Sequence, residues 1–179
     1  MRPEDIGVAL NGDVRADDET AHLPATVALV EPVGCVVRAL DRANIQRGDT
    51  VVVIGAGFNG IVMALLAPHW GAEAVAILDR LPVRLERAQR LGITTFNVDD
   101  EGIVDSVKAW SQGGRGGHAV MVTPSAQPAI DLGLELCAPG ATLMLYAPWQ
   151  DEKRWPLNLN KVLFQEIYIA GTYSASPHD

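Results

Sequence analysis

The clearest chemical signal is Val51-Val52-Val53-Ile54-Gly55-Ala56-Gly57-Phe58-Asn59-Gly60, a β-branched run feeding the pattern G-x-G-x-x-G. A glycine turn alone says little, because such turns are common. Here a buried strand precedes it, an apolar helix follows it, and a second strand ends in Asp79. Asp79 lies 19 residues beyond Gly60, and roughly 20 is the spacing at which an acid reaches the ribose of a bound dinucleotide. Each glycine then has a task. Gly55 permits the turn off the strand, Gly57 lets backbone approach a pyrophosphate, and Gly60 lets the helix pack close to the sheet. Phe58 and Asn59 lie in the loop, and the N-terminus of the helix that follows offers free N–H groups and a dipole that favour an anion.

Asp79 is expected to accept hydrogen bonds from both adenosine ribose hydroxyls. A 2′-phosphate would face its carboxylate, so NAD is favoured over NADP. Arg80 follows it directly and Arg84 stands one helical turn onward. Arg80 can swing onto a 2′-phosphate, which keeps NADP open, and Arg84 can flank the same ribose; equally, both suit a solvated helix face. A rival reading is methyl-donor binding, which uses a similar turn. Those domains usually carry an acid at the end of the first strand, where this chain has the apolar Ile54.

The surrounding elements must hold this loop. Strands are expected at 50–54, 74–78, 94–97, 119–122, 141–146 and 167–172. Helices fall between them at 61–70, 82–91, 101–112, 126–136 and 159–165. The alternation predicts an α/β fold, a doubly wound, six-stranded parallel sheet with helices on both faces. Before it, Ala28, Leu29, Val33, Val36, Val37 and Leu40 recur at helical spacing, with Pro32 expected near that helix's start. Residues 1–24 are polar and acidic and read as a lead-in arm; 25–179 read as one dinucleotide-binding Rossmann domain.

Composition agrees with that reading and excludes others. The chain has 179 residues, 48% of them hydrophobic and 20% charged, which suits one domain with a buried core. Its net charge of −8 opposes nucleic-acid binding and a polybasic membrane anchor. No apolar run approaches the roughly 18 residues of a membrane span. Two distant cysteines, Cys35 and Cys137, form no disulfide framework, and a cytoplasmic setting is expected.

From about Ala28 onward the chain resembles the cofactor-binding half of the medium-chain, zinc-type alcohol and polyol dehydrogenases. The resemblance rests on Ala28-Leu29-Val30-Glu31-Pro32, Gly48-Asp49-Thr50 running into the glycine loop, and Asp79 with Arg84. It also rests on Gly113-Gly114-Arg115-Gly116, Pro139-Gly140 and Gly171-Thr172-Tyr173. The resemblance implies that Glu31 sits at a catalytic zinc, as ligand or neighbour; by itself, the carboxylate reads as a helix-start acid. It implies that Thr123, Tyr146 and Ala147 lie along the cofactor, in turns that replace the family's usual ones with other small residues. It further implies an N-terminal catalytic domain, with the other zinc ligands, that these residues do not match. Cys35 reads as packing. His22, His69, His118 and His178 show no ligand spacing. Trp149 and Trp155 either line a substrate cleft or cap a core edge.

Two functions remain in view. One is an NAD-dependent oxidoreductase moving hydride between nicotinamide and the carbon of a small alcohol or polyol, present here mainly as its cofactor-binding part. The other is a non-catalytic NAD-binding module: a fragment, a split-gene half or a degenerate paralogue. In either case the strand over Ile167–Thr172 is expected at a sheet edge, the place for a homodimer contact.

Overall fold

The computed structural model describes residues 23–149 and 154–175. The lead-in expected over 1–24 falls outside these residues, except for Leu23 and Pro24, which belong to the first helix. That helix, α1, is Leu23–Arg42. Then follow β1 (Thr50–Ile54), α2 (Phe58–Leu66), β2 (Ala74–Asp79), α3 (Pro82–Arg90), β3 (Thr94–Asn97) and α4 (Ile103–Trp110). The second half holds β4 (Gly117–Val122), α5 (Gln127–Leu136), β5 (Cys137–Leu145), α6 (Leu159–Phe164) and β6 (Tyr168–Gly171).

The six strands form one parallel sheet in the order β3-β2-β1-β4-β5-β6. The chain reverses its direction of travel between β1 and β4, so their C-terminal ends flank the switch-point crevice where open α/β sheets bind ligands. Val51, Val52 and Val53 are fully buried in β1, as a central strand covered on both faces must be. One core layer packs Val36 and Leu40 of α1 and Met63 of α2 against Val51, Val53 and Met121. The opposite layer packs Val107 of α4 and Ile130, Leu134 and Leu136 of α5 against Val52, Val120 and Leu143.

Two prolines behave differently from expectation. Pro32 lies inside α1 rather than at its start. Its missing N–H leaves the Ala28 carbonyl without a helical donor, and the burial of Val36, Ala39 and Leu40 beyond it holds the helix on. Pro139-Gly140, expected to close α5, sits within β5. There the β4 register jumps from Gly117↔Cys137 to Ala119↔Thr142, and Gly140 N–H donates to the Gln165 carbonyl at 2.7 Å. The irregular step places Pro139 and Gly140 on the exposed side of the strand, where a missing donor costs little.

Candidate functional site

The glycine loop forms one lip of the crevice. Gly55 has φ of 100°, a conformation glycine adopts without strain, and its N–H donates to the Leu78 carbonyl at 2.7 Å. Thr123 holds the turn from the other strand, its Oγ1 standing 2.9 Å from the Ile54 carbonyl, to which it donates, and 3.4 Å from the Gly55 carbonyl. A side chain at Gly55 would collide with that hydroxyl, and one at Gly60 would collide with the Gly55 carbonyl. Gly57 differs, because a Cβ there meets nothing within 4 Å. Packing therefore does not explain the missing side chain at 57. Gly57 also caps α2 with no side-chain hydrogen bond, so the first N–H groups of α2 are left without a side-chain acceptor.

Asp79 forms the other lip, with α3. It is only 6% exposed. Oδ2 accepts from Ala56 N–H at 2.8 Å, Oδ1 accepts from Leu81 N–H at 2.9 Å, and the Arg84 guanidinium stands 3.4 Å from Oδ2. Burial opposes ionisation here. The two backbone donors and Arg84 outweigh it, and the carboxyl is held below its ordinary range. A carboxylate with a lowered pKa stabilises the fold above its unfolded value of about 3.9 and loses that contribution as pH falls through the lower folded value. Asp79→Asn is therefore expected to lower the Tm most near neutral pH. The gap between variant and parent narrows as pH falls past the ordinary carboxyl value of about 3.9 and closes once the folded carboxyl is protonated, and thermal melts across that range check it.

Between the lips lies a cleft of about 720 Å³. Gly55, Gly57, Phe58, Asn59, Gly60, Asp79, Arg80, Arg84 and Thr123 all line it. Sequence had singled out each of them. It missed the apolar wall that completes the cleft: Leu81, Val98, Pro128, Ala129 and Leu132. Those residues are ordinary helix and turn positions, and only the sheet's topology brings them opposite the glycines. The result is a half-open slot with apolar flanks for a flat ring and polar groups at one end. Arg80 lies in the turn between β2 and α3 rather than on a helix face; it is mostly exposed and pairs with Asp99 at 3.2 Å. Asn59 Oδ1 is buried without a hydrogen-bond partner, a cost carried at the start of α2.

Tyr146 and Ala147 do not join this cleft. They line a separate, mainly apolar cavity of about 110 Å³ with Val122, Pro124, Ile130 and Trp155. Pro124 borders both spaces. Trp149 and Trp155 pack against the core layer beneath α5, and Trp155 Nε1 donates to Asp131 Oδ1 at 2.8 Å. They cap a core edge and line that cavity. Burial, followed by the proximity of Cys35 and Glu31, pushes the Tyr146 hydroxyl up to about 12. It stays protonated at any physiological pH.

Glu31 is exposed on α1, and its Oε1 accepts from the Cys35 thiol at 3.1 Å. Cys35 thus does more than fill space. Zinc sites use three or four protein ligands. Among the described residues no group of three His, Cys, Asp or Glu side chains is placed to hold a metal. Glu31 and Cys35 alone do not fit a complete zinc site. His118 serves the fold, its Nδ1 accepting from Thr50 N–H at 3.0 Å.

Comparison with known proteins gives this geometry a family. The model of the family described as "Zinc-binding dehydrogenase" matches residues 59–179. D-xylulose reductase of Saccharomyces cerevisiae is 33% identical over 158 residues, covering 83% of this chain and 44% of that protein. Sorbitol dehydrogenase of Halalkalibacterium halodurans is 32% identical over 171 residues, covering 88% of this chain and 48% of that protein. Among solved structures, the alcohol dehydrogenase of Thermus sp. ATN1 matches with a TM-score of 0.73 and 26% identity, over 79% of this chain and 41% of that one. The chain spans somewhat less than half the length of these relatives. By its family match, its sheet and its glycine loop, the chain belongs to the zinc-binding dehydrogenase family, of which it holds the cofactor-binding portion.

Proposed function

We propose that the chain binds a nicotinamide dinucleotide, NAD or NADP, in the 720 Å³ cleft, as the cofactor-holding part of an oxidoreductase that acts on a small alcohol or polyol. One observation carries the reading: Gly57 lacks a side chain where the protein itself leaves the space empty, directly at the uncapped start of α2. The residues fit the group. Gly57, Phe58 and Asn59 would offer backbone N–H groups to the pyrophosphate, which explains how a chain of net charge −8 can hold an anion without lysines. Gly55 and Gly60 would keep the loop close to the sheet, and Thr123 would hold its base. Asp79, Arg80 and Arg84 would surround the adenosine ribose, with the ring between Leu81, Val98 and Leu132. Tyr146 and Ala147 would lie farther along the C-terminal edge of the sheet, toward the nicotinamide. When bound, the nicotinamide supplies a hydride acceptor or donor, and the protein's task is to hold it in place.

The supporting relatives are a xylulose reductase and a sorbitol dehydrogenase, which is why the substrate class is a small alcohol or polyol. Glu31 would reach a metal only in company with ligands that the described residues do not supply. The alternative is a module that binds dinucleotide without turning over by itself, and the turnover assay below separates the two readings. We also infer a homodimer through β6, which among the described residues pairs only with β5 and carries exposed apolar side chains around it. A cytoplasmic setting fits two cysteines outside any disulfide and the absence, among the described residues, of a helix long and apolar enough to cross a membrane.

Calorimetric titration of the chain with NADH tests the proposal. Saturable one-to-one binding in the micromolar range, competed by AMP, is expected. Lack of heat and of competition up to millimolar ligand would sink it. In the same preparation no polyol-dependent NADH should form. Turnover by the chain alone would show that it completes a catalytic site.

A further inference from the structure

The small cavity beside the large cleft is a space of its own, and the two share only Pro124. Its volume is about 110 Å³. Folded interiors are close-packed, and gaps much larger than a water molecule are few. This one lies where two strand ends, a helix and a loop meet. Val122 of β4 and Leu145 of β5 are paired in register, and Ile130 of α5 is only 5% exposed. Trp149 and Trp155 come from the connection after β5, where Ala147 brings no more than a methyl group.

These walls are held without a ligand. Tyr146 N–H donates to the Val122 carbonyl at 3.1 Å and joins the two strand ends. Trp155 Nε1 donates to Asp131 Oδ1 at 2.8 Å, which fixes the indole against α5. A preformed cavity avoids the entropy loss of ordering its own walls when something binds.

The lining selects what fits. Among the described residues no charged side chain borders the space. An ion would lose its hydration there and gain no counter-charge. A lodged water needs two to four polar partners, and these walls are mainly carbon. Indole and phenol rings instead favour a flat ring packed edge-to-face or offset. An apolar cavity of about 150 Å³ takes benzene, so a partly open one of about 110 Å³ suits a ring of about five or six atoms. Ser125, exposed at the margin, offers a hydroxyl to one polar substituent.

We propose that this cavity is a second binding site, for a small uncharged ring compound. The inference stands whether or not the large cleft takes a dinucleotide. Methyl NMR of the full chain, titrated with benzene, tests it. Saturable shifts are expected at Ile130, Leu145 and Ala147, with a dissociation constant of about 1 mM. Leu81 and Val98, in the large cleft, should stay still. Tetramethylammonium at the same concentrations should move none of them. Ala147→Leu puts carbon into the space, so it should weaken benzene binding at least tenfold with the Tm unchanged or raised.

Absence of saturable shifts overturns the proposal. So does displacement of benzene by AMP with movement at Leu81 and Val98, which would put the ring in the large cleft. Tetramethylammonium binding at the three cavity methyls overturns the uncharged class. Unchanged benzene affinity in a folded Ala147→Leu overturns the site. Should that variant fail to fold, nuclear Overhauser contacts in the parent decide. Benzene protons must then reach Ile130 and Trp155, and contacts confined to other residues overturn the site.

Discussion

Gly57→Ala is expected to weaken dinucleotide binding at least tenfold while leaving the fold intact or slightly firmer, and Gly60→Ala to destabilise the fold. At 57 the backbone has φ of −76° and ψ of −174°, which alanine adopts freely. The new methyl meets no protein atom within 4 Å. Replacing glycine where its conformation is ordinary gains about 0.4–1 kcal/mol through the unfolded state. A Tm unchanged or raised by roughly 1–4 °C follows for a chain of this size. The same methyl stands where a pyrophosphate would press against the backbone. A loss of at least tenfold in affinity, about 1.4 kcal/mol, is expected.

At 60 the methyl runs into the Gly55 carbonyl and toward Val53, and the first obstacle is backbone that cannot rotate away. Overpacking of this kind costs about 3 kcal/mol or more and should lower the Tm by roughly 6–12 °C. Melts and titrations of the two variants side by side check both statements. Retained NADH affinity in Gly57→Ala would remove the main support for the functional reading.

Tyr168→Lys is expected to separate the subunits of the proposed dimer. Around the edge strand Phe164 is 80% exposed, Tyr168 68% and Tyr173 87%, with Leu159 and Leu163 beside them. Scattered apolar residues are ordinary, but a cluster at an unpaired strand edge marks a contact surface. A two-fold interface contains each residue twice, so one substitution removes two anchors. At about 1.5–3 kcal/mol for each large side chain, the dimer loses about 3–6 kcal/mol. That corresponds to a dissociation constant raised on the order of 10²- to 10⁴-fold. Lysine is the residue proteins use to blunt such edges, and position 168 is exposed, so the monomer should fold as before. Sedimentation of the parent and the variant at tens of micromolar measures the difference. A monomeric parent would dismiss the dimer.

The sheet was legible because its strands are short β-branched runs separated by helices, a pattern with one common solution. The glycine loop and Asp79 were legible as neighbours because their spacing is set by the strand, helix and strand that the sequence spells out between them. What escaped was tertiary. Pro32 reads as a helix start from its chemistry, but the core beneath Val36 and Leu40 holds α1 past it. Pro139-Gly140 reads as a stop, and an irregular step in register lets β5 absorb it. The hydrogen bonds that occupy Asp79 come from backbone N–H groups, which have no letter in the sequence. Tyr146 and Ala147 carry no spacing signal of their own; the resemblance suggested them, and the fold sets them beside a different cavity from the large cleft.

The strand order has a consequence for how the chain survives in a cell. β3, β2 and β1 form one half of the sheet from adjacent stretches of chain, while β4, β5 and β6 form the other. The cleft straddles the seam: the glycine loop follows β1, whereas Thr123, Pro128 and Leu132 come from beyond β4. A ligand lodged there fastens the halves to each other. At a free concentration one hundred times its dissociation constant it adds about 2.7 kcal/mol to the folded state. On the proposed dinucleotide reading, the supply of that ligand would also govern how many copies escape unfolding and proteolysis.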